Sequence, residues 1–144
     1  MKKLILSIPV FLILVGILFI YSEYKTRNFV DAFITSSDNL EEVVQGITIW
    51  GENEEHGQST LAILKPGDAH YEEVLAALSG WEVKRAIIKD KSAQTIYQLD
   101  LANDAKPMDP LNIQIATNGT LYLHGYEYKL VKGNSIEEII AIAK

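Results

Sequence analysis

Three histidines are the residues of this chain best suited to bind a metal or to move a proton near neutral pH: His56, His70 and His124. No two of them lie three or four residues apart, and the sequence contains no His-Glu-x-x-His motif. His56 lies in the acidic loop 51–57, whose oxygen ligands could bind a cation. That loop lacks the alternating aspartates of a calcium-binding loop, so we predict no metal site.

Carboxylates are the second group that could do chemistry, and three of them surround the predicted loop 102–110: Asp100, Asp104 and Asp109. Two carboxylates can act as acid and base in a hydrolase when they converge in space, which spacing in the sequence cannot establish. The sequence has no Gly-x-Ser-x-Gly motif, no phosphate-binding loop and no cysteine. We therefore predict no catalytic residues and no cofactor, and an envelope hydrolase that uses these carboxylates is one alternative.

Tyrosines and glutamates form the candidate interaction surface. Tyr126 and Tyr128 share one face of a predicted strand, and Tyr122 in the preceding strand is expected to join them. An acidic group in the loop 51–57 completes the set: Glu52, Glu54 and Glu55. The main prediction is a non-catalytic domain that binds a partner through such a surface. A small inhibitor or immunity-type protein, acting through the same residues, is the second alternative.

Charge excludes one class of partner. The 144 residues carry a formal charge of −6, whereas a nucleic-acid-binding protein would need a basic face. From residue 28 onward there are nine Lys and Arg against eighteen Asp and Glu, a formal charge of −9. We therefore predict no nucleic-acid partner. We expect a protein partner in the cell envelope instead.

An uncharged segment at the amino terminus, residues 4–20, predicts a transmembrane helix. It is longer than the apolar region of a typical signal peptide, and no small-residue cleavage site follows it. A retained membrane anchor is therefore favoured over a cleaved signal. Lys2 and Lys3 before the segment balance Lys25 and Arg27 after it, so the terminal amino group places the amino terminus inside. The rest of the chain is expected outside the membrane, or secreted if the segment is cleaved.

Patterns after the anchor predict strands with helices set apart. A hairpin is predicted between 46–51 and 59–65, and a helix over 70–78 with Asp68 as its N-cap. The strands 81–88 and 95–101 precede a three-stranded meander over 111–131. The meander is predicted from two pairs suited to type I′ turns, Asn118-Gly119 and His124-Gly125. A capping box formed by Ser135 and Glu138 begins a terminal helix over 136–143.

This order predicts an α+β fold: an N-terminal transmembrane helix, a curved antiparallel sheet packed by one helix, and a short C-terminal helix. The expected parts are the anchor or signal segment 1–22, a partly helical bridge 23–45, and an extracytoplasmic domain 46–144.

The layout resembles the small membrane-tethered, lipoprotein-like extracytoplasmic proteins of Gram-positive bacteria. The residues that carry the resemblance are Lys2-Lys3, the uncharged segment, and the stretches ITIWG, PGDAHYEEVLAALSGWEVKR and NIQIATNGTLYLHGYEYKLV. The resemblance implies a cell-membrane location and a fold type, and it implies no catalytic residue. Many lipoproteins carry a cysteine after the apolar segment, and this chain has none, so the helix itself would be the tether.

Overall fold

A single antiparallel sheet of eight strands organises the part of the chain that the computed structural model describes: residues 2–34, 40–53, 57–90, 92, 94–103 and 110–144. The strands are β1 (Arg27–Asn28), β2 (Gly46–Asn53), β3 (Gly57–Leu64), β4 (Glu82–Arg85), β5 (Ile96–Ala102), β6 (Leu111–Ala116), β7 (Thr120–Leu123) and β8 (Tyr126–Lys132). Their order across the sheet is β1-β4-β8-β7-β6-β5-β2-β3. The helices are α1 (Lys2–Tyr24), α2 (Phe29–Phe33), α3 (Leu40–Val43), α4 (Tyr71–Ser79) and α5 (Ile136–Ala143).

The predicted α+β architecture with an antiparallel sheet is confirmed. The hairpin is β2 paired with β3, and the meander is β6, β7 and β8 in consecutive antiparallel contact. The meander is recognisable in the sequence because residues of alternating polarity border short turns that favour reversal of the chain, and the hairpin because both of its strands are rich in residues that favour strands.

One face of the sheet is the core. Ile49, Leu99 and Ile113 are neighbours across three strands, and all three are fully buried. The sequence predicts one helix on this face, but both α4 and α5 contribute to the core and pack against each other. The apolar face of each helix supplies four buried residues: Tyr71, Val74, Leu75 and Leu78 from α4, and Ile136, Ile139, Ile140 and Ala143 from α5.

The predicted N-cap is confirmed at α5 and is wrong at α4. The capping box of α5 is present, since the Glu138 amide donates to Ser135 Oγ at 3.2 Å and the Ser135 amide donates to Glu138 Oε2 at 2.8 Å. Asp68, however, is not the N-cap of α4: that position is His70, which makes no side-chain cap hydrogen bond. The carboxylate of Asp68 instead accepts the Lys65 amide at 2.6 Å, which closes the preceding turn.

The two predicted type I′ turns have different outcomes. His124 and Gly125 both adopt positive φ, at 50° and 80°, as that turn requires. At the other site Gly119 has positive φ but Asn118 does not, so the type I′ prediction there is wrong. The Asn118 side chain accepts the Thr120 amide at 3.0 Å, and this local bond stabilises a different turn.

The N-terminal part corrects the fold prediction. Within the described ranges, no helix is long and apolar enough to cross a membrane, so the predicted N-terminal transmembrane helix is wrong. The side chains of α1 are described from residue 8, and the uncharged stretch from there runs from Ile8 to Ser22. At 1.5 Å per residue this stretch is about 22 Å long, which is shorter than the hydrocarbon core of about 30 Å.

The segment predicted as a bridge takes part in the domain. After α1 ends at Tyr24, β1 pairs with β4, and Phe29 at the start of α2 is fully buried. The Phe29 ring meets the Trp81 ring edge-on, with 5.4 Å between their centroids. The chain therefore leaves α1 directly into the sheet and its core, which places the end of α1 beside β4 and β8.

Candidate binding cleft

The tyrosines chosen from the sequence lie on opposite faces of the sheet. Cross-strand register pairs Tyr128 with Leu121 and Tyr126 with Leu123, so both tyrosines are on the core side. Tyr122 pairs with Glu127 and therefore lies on the outer face. Glu52 is exposed near the end of β2, remote in register from these tyrosines, whereas Glu54, Glu55 and His56 lie outside the described residues.

Tyr126 and Tyr128 line a cleft where the end of α1 meets the sheet. Its volume is about 610 Å³. Aromatic, apolar and charged side chains from α1, β1, β4 and β8 form its walls: Phe19, Ile20, Glu23, Tyr24, Arg27, Arg85, Tyr126 and Tyr128. We call this site the α1–sheet cleft.

Arg85 is the central side chain of the α1–sheet cleft. Its Nη1 donates to Glu23 Oε2 at 2.5 Å, which links β4 to the last turn of α1. Its guanidinium carbon lies 4.1 Å from the centre of the Tyr126 ring and 5.8 Å from that of Tyr24. A guanidinium can stack on aromatic faces and still donate hydrogen bonds within its own plane, so Arg85 is held in place while part of its edge can serve an anion.

Arg27 supplies a second positive charge to the cleft. Its Nη2 donates to the Ser22 carbonyl at 2.5 Å and to the Glu23 carbonyl at 3.4 Å, at the C-terminal end of α1. Among the residues that the structure describes, no carboxylate lies within 4 Å of Arg27. Its charge is balanced by helix carbonyl dipoles rather than by an acid.

Tyr128 forms the inner wall of the cleft. It is half-buried, and its ring meets that of Phe33 edge-on at 5.0 Å between centroids. Burial raises the pKa of the Tyr128 hydroxyl, while the charges of Arg85 and Arg27 act in the opposite direction. The hydroxyl is therefore protonated at neutral pH and available as a hydrogen-bond donor.

The outer face of the sheet carries a separate polar network around Asp100. The carboxylate accepts hydrogen bonds from Trp50 Nε1 at 2.9 Å, from Asn112 Nδ2 at 2.7 Å, and from Gln98 Nε2 at 3.2 Å. All three donors are neutral, and no second carboxylate belongs to this network in the described part of the chain. Asp104 and Asp109 lie outside the described residues, so the hydrolase alternative that uses these three aspartates stays a prediction.

Metal ligation has no candidate within the described ranges, where no group of three or more His, Cys, Asp or Glu side chains could hold an ion. His70 lies 3.8 Å from Glu73 at the start of α4, and His124 occupies the turn between β7 and β8.

Asp90 anchors a second cluster that the sequence analysis did not identify. Its Oδ1 accepts the Ser92 hydroxyl at 2.6 Å and the Ser92 amide at 3.0 Å. Its Oδ2 accepts from Asn118 Nδ2 at 2.8 Å and from Lys129 Nζ at 3.1 Å. The hydrogen bonds from Ser92, followed by that from Lys129, hold the pKa of the Asp90 carboxyl well below its usual range. The cluster joins the loop after β4 to the meander and has a structural role.

The Asp90 cluster predicts a pH-dependent stability. Because the folded-state pKa lies below the unfolded value of about 3.9, the charge stabilises the fold above that pH, and its contribution is lost as pH falls through the folded-state pKa. We expect Asp90→Asn to lower the free energy of unfolding at pH 7, and the difference from the native chain to shrink as pH falls below about 4. Urea denaturation across this range measures it. Ser92→Ala is the companion variant: it removes the hydroxyl that donates to Asp90, so the effect of Asp90→Asn should depend less on pH in that background. An effect of Asp90→Asn that stays constant with pH in the native background would contradict the assignment.

Six residues of the α1–sheet cleft were missed by the sequence analysis as site residues: Phe19, Ile20, Glu23, Tyr24, Arg27 and Arg85. Phe19 and Ile20 entered it only as part of the apolar segment, and Arg27 only as a charge that flanks it. The one local signal was Lys84-Arg85, a basic pair within a strand of a domain that is otherwise acidic.

Comparisons of the chain with protein-family models, with curated proteins and with solved structures found no match. The resemblance to membrane-tethered extracytoplasmic proteins of Gram-positive bacteria therefore stays a prediction. Among the described residues, the exposed helix α1 and the α1–sheet cleft are the features from which we propose a function.

Proposed function

We propose that this protein is a non-catalytic binding protein that associates with lipid through the apolar surface of α1. The observation that carries the proposal is the exposure of that surface. From Ile8 to Tyr21, every large apolar side chain of α1 is between 45% and 69% exposed. No charged residue interrupts this stretch.

The apolar side chains of α1 surround the helix instead of forming one stripe. A groove on a partner protein would cover one side of such a helix and leave the others in water. The hydrocarbon chains of lipids are flexible and can adapt to an apolar surface on any side of the helix, and burial of apolar surface is favourable by about 25 cal/mol per Å². Lipid is therefore the partner that best matches the surface. The proposal concerns contact with lipid and does not depend on α1 crossing a bilayer.

The non-catalytic part of the proposal is supported by what the polar clusters do. Asp100 accepts from three neutral donors, and the Asp90 cluster fixes a loop against the meander. The α1–sheet cleft, with stacked arginine and tyrosine side chains, is suited to recognition of a ligand. A binding role at a membrane surface accounts for both α1 and the cleft.

Vesicle flotation of the full-length chain tests the proposal. The native chain, transferred from mild detergent to phosphatidylcholine vesicles, should float with them. Ile17→Glu in α1 should weaken this binding by roughly tenfold or more, because it removes an apolar side chain whose burial contributes about 1.5–3 kcal/mol and puts a charge in its place.

Ile88→Glu is the matched control, since Ile88 is also an exposed isoleucine but lies in the loop after β4. It should float like the native chain. Native chain that stays with the soluble fraction, or equal losses in the two variants, would refute association through α1. Far-UV circular dichroism establishes that each variant is folded.

A further inference from the structure

We infer that the α1–sheet cleft binds the phosphate group of an anionic lipid, with Arg85 and Arg27 as its ligands and the lipid chain lying along the apolar wall of α1. The inference rests on the proposed function and names the ligand class for this cleft. Three observations carry it: the sign of the charge, the contacts that hold Arg85, and the position of the cleft at the end of α1.

Charge in the cleft is opposite to that of the protein. The chain carries a formal charge of −6, and residues 28–144 carry −9. The cleft nevertheless collects Arg27 and Arg85 against the single carboxylate of Glu23. Because Arg27 has no carboxylate within 4 Å in the described part of the chain, the site keeps a net positive charge that favours an anion.

Arg85 has N–H donors that remain for a bound phosphate. Glu23 accepts from its Nη1, whereas a guanidinium carries five N–H donors in a rigid fork. The Tyr126 ring, 4.1 Å from the guanidinium carbon, restricts the plane of the fork. A preorganised arginine loses little rotamer freedom on binding, and two parallel N–H groups match two phosphate oxygens. The protonated hydroxyl of Tyr128 can add a further donor.

Phe19 and Ile20 make a lipid a better fit to the cleft than other anionic ligands. They line the same cleft, and they are 68% and 60% exposed, on the stretch of α1 that we propose to contact lipid. A ligand with a phosphate beside a hydrocarbon chain would cover the arginines and this apolar wall together. A free phosphate would leave the wall exposed, and an acidic peptide would gain little from it. The surface is therefore complementary to an anionic amphiphile.

Flotation of the full-length chain with two kinds of vesicle tests the inference, one of phosphatidylcholine alone and one that also contains phosphatidylglycerol. We expect the native chain to bind the anionic vesicles about fivefold more tightly, because a basic residue at an anionic surface contributes about that factor. The acidic domain alone would be repelled by such vesicles, so a preference in this direction points to a local site.

Two variants separate the site from general charge attraction. Arg85→Lys keeps the charge and can still pair with Glu23, but it lacks the planar fork, so it should lose most of the anionic preference. Lys25→Gln removes a neighbouring charge that does not line the cleft and should keep the preference. Retention of the preference by Arg85→Lys, or an equal loss in Lys25→Gln, would overturn the assignment.

The two proposals fail in different ways. Binding to phosphatidylcholine vesicles without any anionic preference would reject a site for an anionic lipid and leave lipid association through α1 intact. Failure to bind either vesicle would reject both. Displacement of the native chain from anionic vesicles by inorganic phosphate, at constant ionic strength, would assign the arginines to a free anion and overturn the lipid source.

Discussion

Replacing Trp81 with alanine is expected to lower the free energy of unfolding by about 3–5 kcal/mol, the usual cost of removing a large buried aromatic side chain. Trp81 is fully buried between the end of α4 and the start of β4. Its ring meets Phe29 edge-on at 5.4 Å, so it links the segment after α1 to the helical layer. Its Nε1 also donates to the Asn134 carbonyl at 2.9 Å, just before α5. One side chain therefore connects three parts of the core.

Urea denaturation followed by circular dichroism measures the effect, since removal of Trp81 changes the fluorescence signal itself. Trp81→Phe is the informative control, because it keeps an aromatic ring and removes the hydrogen bond to Asn134. It should cost about 1–3 kcal/mol, less than the alanine variant, through the unpaired carbonyl and the smaller ring. A loss below about 1 kcal/mol in Trp81→Ala would contradict the central position assigned to this residue.

Local patterns in the sequence predict much of the sheet and its helices. The apolar faces of α4 and α5, the capping box at Ser135, and the β2–β3 hairpin depend on residues within a few positions of each other. Local physics is sufficient there, because side-chain periodicity and turn residues favour the same element that the fold requires.

The face of Tyr122 could have been predicted as well. A two-residue turn at His124-Gly125 pairs Leu123 with Tyr126, and the next pair is Tyr122 with Glu127. Since paired residues point to the same side and neighbours along a strand alternate, the turn alone separates Tyr122 from Tyr126 and Tyr128.

The α1–sheet cleft could not be predicted in this way. Glu23 and Arg85 are separated by 62 positions, and their contact depends on α1 ending at Tyr24 so that β1 can pair with β4. The sequence pattern allows the apolar helix to continue toward residue 34, which would carry Glu23 away from the sheet. The helix is interrupted between α1 and α2. The Arg27 guanidinium donates to carbonyls at the end of α1, and Asn28 caps α2, but these roles are evident only once both helix ends are known.

Gly133, one residue after β8, is the second position where a small change should have a large effect. Its φ of 119° is a conformation that residues with a Cβ rarely adopt. A Cβ atom placed on it would clash with Trp81 Cδ1 and lie 3.2 Å from Trp81 Cα. Backbone strain contributes about 1–3 kcal/mol and overpacking about the same, so Gly133→Ala is expected to destabilise the domain by about 2–6 kcal/mol.

Gly80→Ala is the matched control for this prediction. Gly133 is a neighbour of Trp81 in space, and Gly80 is its neighbour along the chain. Its φ is −80°, and an added Cβ would have its nearest neighbour at 3.5 Å. That substitution should change stability by no more than about 1 kcal/mol in either direction. Equal losses for the two alanine variants would show that strain and contact at Gly133 are not the cause.

A double-mutant cycle with Trp81→Ala separates the two contributions at Gly133. Removing the indole eliminates the contact with Cδ1 but leaves the positive φ and the neighbouring Cα. The cost of Gly133→Ala should therefore be smaller in the Trp81→Ala background by about 0.5–3 kcal/mol, the range found for residues in direct contact. An unchanged cost would assign the whole effect to the backbone conformation. In the expected case, the glycine is required because the indole fills the space beside it, so that the packing of Trp81 and the turn from β8 into α5 depend on each other.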